Sequence, residues 1–209
     1  MRLILSFLFV GMVILGRASA VDSNATPTSG KQVLAEFLLE YMEVRYPGVD
    51  LKHDILYVSV RSQRLYHIQD QQLIGEYVIS TSAKGLGEAK DSERTPTGLH
   101  QVQERIGEGL PAFSILEERQ FTGEQAVPCS DQSTDRITSR ILWLNGLEDG
   151  ANRGGKVDSH ERHIYIHGTA DECSLGRPSS HGCIRMNNSD VIELFDKVPT
   201  GTLVVIYDN

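Results

Sequence analysis

The stretch ILYVSVRSQRLYHI, Ile55 to Ile68, decides the fold class of this 209-residue chain. From Ile55 the apolar pattern takes a period of two. Ile55 to Val60 and Arg64 to Ile68 flank a polar Arg61-Ser62-Gln63 turn, which is the spacing of a β-hairpin. Reading forward, Leu73 to Ser80 is a third strand, and Lys84 to Arg94 is a glycine-rich, charged loop. Thr95-Pro96-Thr97-Gly98 forms a rigid turn that launches a strand over Leu99 to Val102. Residues 104 to 140 are polar and show no clean period, and they read as an insertion over the core. Order returns with Ile141 to Leu144 and again with His163 to His167. A short helix over Ser189 to Val198, opened by Asn187-Asn188, leads through Pro199-Thr200-Gly201 into a last strand, Leu203 to Tyr207. Short strands without βαβ alternation predict a mainly-β domain, sandwich or barrel-like, with an N-terminal helix and a short C-terminal helix.

Reading backward, Lys31 to Tyr46 has a helical rhythm. Val33, Leu34, Phe37, Leu38 and Tyr41 form one stripe, read as a packing face, and Pro47-Gly48 stops it. The expected organisation is an N-terminal helical segment over 31–50, following a flexible linker over 21–30, with the main domain over 51–209. The first twenty residues read as an export signal. Arg2 is the positive flank, Leu3 to Leu15 is the apolar run, and Ala18-Ser19-Ala20 is the small-x-small cleavage pattern. That run is shorter than the ~20 residues a membrane-spanning helix needs, so no membrane span is expected after cleavage.

Composition narrows the function classes. Hydrophobic residues are 40% and charged residues 23%, which excludes disordered and fibrous chains. With 28 acidic against 20 basic residues the formal net charge is −8, so a nucleic-acid partner is not expected. Three cysteines, Cys129, Cys173 and Cys183, in an exported chain leave one thiol free or intermolecular, and three single-bridge arrangements are open.

The chemistry lies in IYIHGTADECSLGRPSSHGCIRMNNSD, Ile164 to Asp190. Cys183 sits in a polar, turn-rich segment, with His181 and Arg185 each two positions away and His167 at the end of a strand upstream. A neighbouring cation or imidazole favours the thiolate over the thiol, whose reference pKa is roughly 8.5. Gly168 and Gly182 allow close approach of a substrate carbonyl to the backbone. These are the parts of a Cys-His acyl-transfer site. The histidines of the region, His160, His163, His167 and His181, together with Cys173, also raise the question of a metal. If Ile164 to Ile166 is a strand, His163 and His167 stand ~13 Å apart. Zinc ligands lie near 2.0–2.3 Å from the ion, so no metal and no other cofactor is expected.

His167-Gly168-Thr169, followed by Ser180-His181-Gly182-Cys183-Ile184-Arg185-Met186, resembles the catalytic domain of the L,D-transpeptidase (YkuD-type) family. The resemblance covers roughly Ile55 to Tyr207 and extends to the opening hairpin, the Thr-Pro-Thr-Gly turn and the closing helix and strand. It implies Cys183 as nucleophile and His167 as general base and acid, with the Gly168 carbonyl orienting the imidazole. It implies His181, Gly182 and the Cys183 backbone as the oxyanion site. Arg185 would hold an acidic group of the substrate or support the loop. Because that chemistry needs Cys183 free, Cys129–Cys173 becomes the expected disulfide, against the alternative of Cys173 bonded to Cys183. The implied substrates are peptidoglycan stem peptides, with an amine of a second stem peptide or of a lipoprotein lysine as acceptor, in the periplasm. The competing readings are a hydrolytic L,D-carboxypeptidase or amidase and an inactive wall-binding module. Trp143 is read as core.

Overall fold

The computed structural model describes residues 29–129 and 135–209. The expected export signal, and residues 21–28 of the expected linker, lie outside the described residues. Helix α1 spans Gly30–Arg45. The strands are β1 (Ile55–Ser59), β2 (Arg64–Gln69), β3 (Gln72–Ser80), β4 (Gly98–Ile106), β5 (Ser114–Glu117), β6 (Gln120–Gln125), β7 (Ile137–Gly146), β8 (Tyr165–Thr169), β9 (Ile184–Met186) and β10 (Leu203–Tyr207). Helix α2, Asn188–Lys197, precedes β10. No helix among the described residues is long and apolar enough to cross a membrane.

The strands run in the order β4-β10-β1-β2-β3-β9-β8-β7, and β7 pairs back onto β4, from His100↔Gly146 to Ile106↔Ile141. Eight strands therefore close on themselves, and the β5–β6 hairpin continues from β7 outside the ring. The mainly-β expectation holds in its barrel-like form, which leaves few open edges. β1–β10 and β8–β9 are parallel pairs, and the other pairings are antiparallel.

The alternation in the opening hairpin sorts side chains between two cores. Leu56 and Val58 join an inner cluster with Ile166, Ile184, Met186 and the α2 residues Val191, Leu194 and Phe195. Ile55 and Tyr57 face the other way and pack under α1 with Ile68, Leu99 and Val205. The helix meets them with Ala35, Leu38, Leu39 and Met42, and Leu34 and Tyr41 pack against the same cluster, so three of the five residues of the expected stripe face the core and Val33 and Phe37 do not. Val33 is 54% exposed and Phe37 60% exposed. Apolar residues occupy most of the α1 circumference, so period alone did not choose a face, and the small Ala35 lets the helix lie close to the sheet. The helix ends at Arg45 with Tyr46 as its C-cap, where Pro47 and the left-handed Gly48 (φ 89°) stop it as the sequence predicts. Ser29, placed in the linker by sequence, caps α1 by accepting the Gln32 N–H at 3.2 Å.

His100 on β4 is fully buried, with Nδ1 against the Gly98 carbonyl (3.0 Å) and Nε2 against Ser159 Oγ (2.9 Å). Burial pushes its pKa from 6.5 down to about 4. The unfolded chain takes up a proton near 6.5 that the folded protein refuses until about 4, so folding stability falls as pH drops across that window. The loss approaches about 3 kcal/mol. In urea titrations His100→Gln should flatten this dependence; an unchanged slope between pH 6.5 and 4 would assign the acid sensitivity elsewhere.

Candidate active site

The site is built on β8, β9 and the loop entering β9. In the parallel pair His167 stands opposite Arg185, and Ile166 opposite Ile184. Ile166, Ile184 and Met186 go to the inner core, which turns His167, Arg185 and, two residues earlier, Cys183 to the outer face. One strand spacing and two residues separate Cys183 from His167, about 8 Å between Cα atoms. Their side chains share one surface. Ile141, Trp143 and Tyr165 form an apolar ledge on that surface, and Cys183 packs against it.

His167 is buried, and its Nδ1 lies 2.7 Å from the Gly168 carbonyl oxygen. A carbonyl only accepts, so Nδ1 carries the hydrogen and Nε2 keeps the basic lone pair. Burial lowers the pKa of His167. The negative charge of Asp135 and the Gly168 hydrogen bond oppose that shift, and Arg185 adds to it. The carbonyl must stay close, and residue 168 has no room for a side chain. A Cβ there would meet the Thr138 carbonyl oxygen at 2.6 Å and Asn188 Oδ1 at 2.8 Å.

Cys183 is the free cysteine. Its thiol donates to the His163 carbonyl at 3.2 Å. The sequence predicted a thiol shifted toward thiolate by neighbouring cations; the structure has the opposite. Burial pushes the Cys183 pKa up to about 12, against the lowering by the Tyr165 backbone N–H and the more distant Arg185 and Arg162. Desolvation exceeds the help of charges that do not touch the sulfur. Burial thus favours the neutral thiol at Cys183.

The loop before Cys183 is held internally. Thr95 Oγ1 donates to the Gly182 carbonyl (2.9 Å), and Ser180 Oγ donates to the Cys183 carbonyl (2.6 Å). The Gly182 N–H, expected to face an oxyanion, instead donates to Ser180 Oγ at 3.2 Å. Gly182 has φ 127°, a conformation that side-chain-bearing residues rarely adopt, and this turns its amide inward. Arg185 is buried, with its Nε 2.7 Å from Asp135 and its Nη1 3.5 Å from Asp171, while Nη2 donates to the Ser179 carbonyl at 2.9 Å. Of its two implied roles the geometry supplies loop support. His181 is largely exposed and holds Asp135 Oδ2 at 3.0 Å through Nδ1. Cys129 and Cys173 are joined as a disulfide, with Cα atoms 5.9 Å apart, which ties the segment after β6 to the loop after β8.

A cleft of about 400 Å³ is lined by Lys90, Glu93, Arg162, His163 and His181 among others, and the carbonyl of its His163 is the one that accepts from the Cys183 thiol. Trp143 is buried as expected, stacked on His160 with ring centroids 4.0 Å apart. Among the described residues no three His, Cys, Asp or Glu side chains gather as metal ligands.

The sequence profile of the L,D-transpeptidase catalytic domain, YkuD, matches residues 53–206. The chain belongs to this family. It is 54% identical over 60 residues to YkuD of Bacillus subtilis, a match covering 26% of this chain and 37% of that protein. It is 26% identical over 161 residues to YciB of the same organism, covering 77% of this chain and 69% of YciB. Against YbiS of Escherichia coli the figures are 49% over 43 residues, 21% and 14%. For the first of these relatives the chain spans little more than a third of its length.

Two residues at this L,D-transpeptidase-type site escaped sequence reasoning. Asn188, expected only as a helix opener, is a buried brace. Its Oδ1 accepts from the Thr138 and Ser139 hydroxyls, and its Nδ2 donates to the Thr169 carbonyl and to Glu172. Asn187 is the cap that accepts from the Ser189 N–H. Asp135, in the segment without a readable period, reaches both Arg185 and His181. No local pattern marks it.

Proposed function

We propose that this chain is an exported cysteine L,D-transpeptidase that acts on peptidoglycan stem peptides in the periplasm. One observation carries the reading. In a member of this family, the free thiol shares a sheet face with a histidine whose tautomer leaves Nε2 basic. Because the thiol starts neutral, attack and proton transfer are coupled. His167 Nε2 takes the Cys183 proton as Sγ bonds to the carbonyl carbon of the amide joining the diamino acid to the terminal D-alanine. The carbonyl electron pair moves to oxygen. When it returns, the C–N bond breaks and D-alanine leaves with the proton from His167, which yields a thioester. An acceptor amine then attacks the thioester carbonyl and gives a proton to His167. The C–S bond breaks, and the sulfur regains its proton. No cofactor enters. The mixed charge of the cleft, Lys90 and Arg162 beside Glu93, suits a peptide that carries both carboxylates and an amine.

Incubating the protein with labelled tetrapeptide muropeptides should release D-alanine and give cross-linked or amine-exchanged products on mass analysis. Tripeptide alone would make water the acceptor and the protein an L,D-carboxypeptidase. Unchanged tetrapeptide alongside intact binding to sacculi would leave only the inactive wall-binding module.

A further inference from the structure

The strongest feature that the thioester chemistry does not use is the Asp135 carboxylate, and any role for it at this site rests on that chemistry. Asp135 lies two residues before β7, and its side chain is 17% exposed. Its Oδ1 is 2.7 Å from Arg185 Nε, and its Oδ2 is 3.0 Å from His181 Nδ1 and 3.4 Å from the His181 backbone nitrogen. One carboxylate thus bridges the strand beside His167 and the loop that ends in Cys183.

The charges facing this group come from every neighbouring element. β8 supplies His167, β9 supplies Arg185, and the loop supplies His181 and Cys183. Asp171 shares Arg185, Arg162 acts on the sulfur, and Glu93, paired with Lys84 at 2.6 Å, faces His181. Burial alone would raise the pKa of Asp135. The charge of Arg185, that of His167 whenever it is protonated, and hydrogen bonds from Arg185 and His181 outweigh it and hold the pKa of Asp135 down. That charge acts on both reacting groups, with opposite signs of benefit. It favours the imidazolium and disfavours the thiolate. At the sulfur, Arg185 and Arg162 counter it. At the imidazole Arg185 opposes it.

We propose that Asp135 is a positioning residue of acyl transfer: through Arg185 and His181 it fixes the loop that presents Cys183, and its charge stabilises the imidazolium formed when His167 takes the thiol proton. A carboxylate that supports a catalytic imidazole usually bonds its Nδ1. Here the Gly168 carbonyl holds Nδ1, and the carboxylate acts from the neighbouring strand.

The test is the rate of acylation by a carbapenem, followed by intact mass across pH, for the wild type, Asp135→Asn and Asp135→Glu. Asp135→Asn keeps the shape and removes the charge. It should acylate about ten- to a hundredfold more slowly at neutral pH, the rate equivalent of a charge-assisted hydrogen bond. The acid limb of its profile should move to lower pH, because an imidazole without its anionic neighbour is less basic. Asp135→Glu restores the charge and should return the limb toward the wild-type position even where the rate stays low. An Asp135→Asn profile that matches the wild type in rate and limb overturns the proposal. A slower rate with an unmoved limb in both variants reduces Asp135 to a loop brace and overturns the charge role. A wild-type protein that never acylates sinks the thioester reading itself, an outcome distinct from either.

Discussion

Cys183→Ala should acquire no mass from a carbapenem or a stem tetrapeptide under conditions in which the wild-type chain is fully acylated. The loss should exceed ten-thousandfold, since the variant has no atom with which to form a thioester. The fold should survive, because Cys183 sits at the margin of the apolar ledge and its truncation costs on the order of 1 kcal/mol. The neutral thiol adds a second signature. With burial holding its pKa at about 12, Cys183 should react slowly with iodoacetamide at neutral pH, although electrophiles that place a carbonyl beside His167 acylate it. His167→Gln should then lose acylation while leaving the slow alkylation in place. Because burial lowers the pKa of His167 from 6.5, its base form persists into mildly acidic solution, and acylation should hold up below pH 6.5. Retention of the adduct by Cys183→Ala would move the nucleophile to another residue.

What the sequence made legible was local. The hairpin at 55–68 was readable because alternation and turn chemistry act over a few residues, and the acyl-transfer motif because its parts lie within one strand, one loop and one short strand. The β5–β6 hairpin was hidden because every residue of β6 is exposed, so no apolar period existed to read. The strand over 99–102 extends in the fold to Ile106, because the polar Gln103, Glu104 and Arg105 break the apolar alternation: Gln103 and Glu104 are exposed, and Arg105 stacks on Phe195. Two features of the site depend on distant packing and had no local signal. The thiol's environment is set by how deeply the outer face is covered, which counting nearby cations does not reveal. Asp135 meets Arg185 across 50 residues of chain, and its neighbourhood reads as ordinary polar loop. Likewise, two adjacent asparagines looked equivalent, and only the fold assigns the cap to Asn187 and the buried brace to Asn188.

Arg185→Met should cost the folded protein about 3–5 kcal/mol, the largest stability loss expected of any single site residue. The guanidinium is 4% exposed and serves the Asp135 and Asp171 carboxylates, the Ser179 carbonyl and, at 3.4 Å each, the Ser174 and Ser179 hydroxyls. Methionine fills similar volume, so the loss is one of charge and hydrogen bonding rather than of packing. Two carboxylates with little exposure would then lose the cation they share, in the setting where an unpaired charge is most costly. Arg185→Lys should recover only part of the deficit, since a single ammonium cannot reproduce a planar fork spanning several acceptors. The pH dependence has a definite sign. The depressed pKa of Asp135 contributes stability that is present above the unfolded carboxylate range and is lost as pH falls through its folded value. The gap between wild type and variant should therefore be widest at neutral pH and narrow in acid, where protonation removes the carboxylate charge that arginine had paired. Urea denaturation of both proteins at neutral and acidic pH measures this directly. A variant within 1 kcal/mol of the wild type at neutral pH would mean that the cluster behaves like a solvated surface pair, and that the loop carrying Cys183 is held by Thr95 and Ser180 alone.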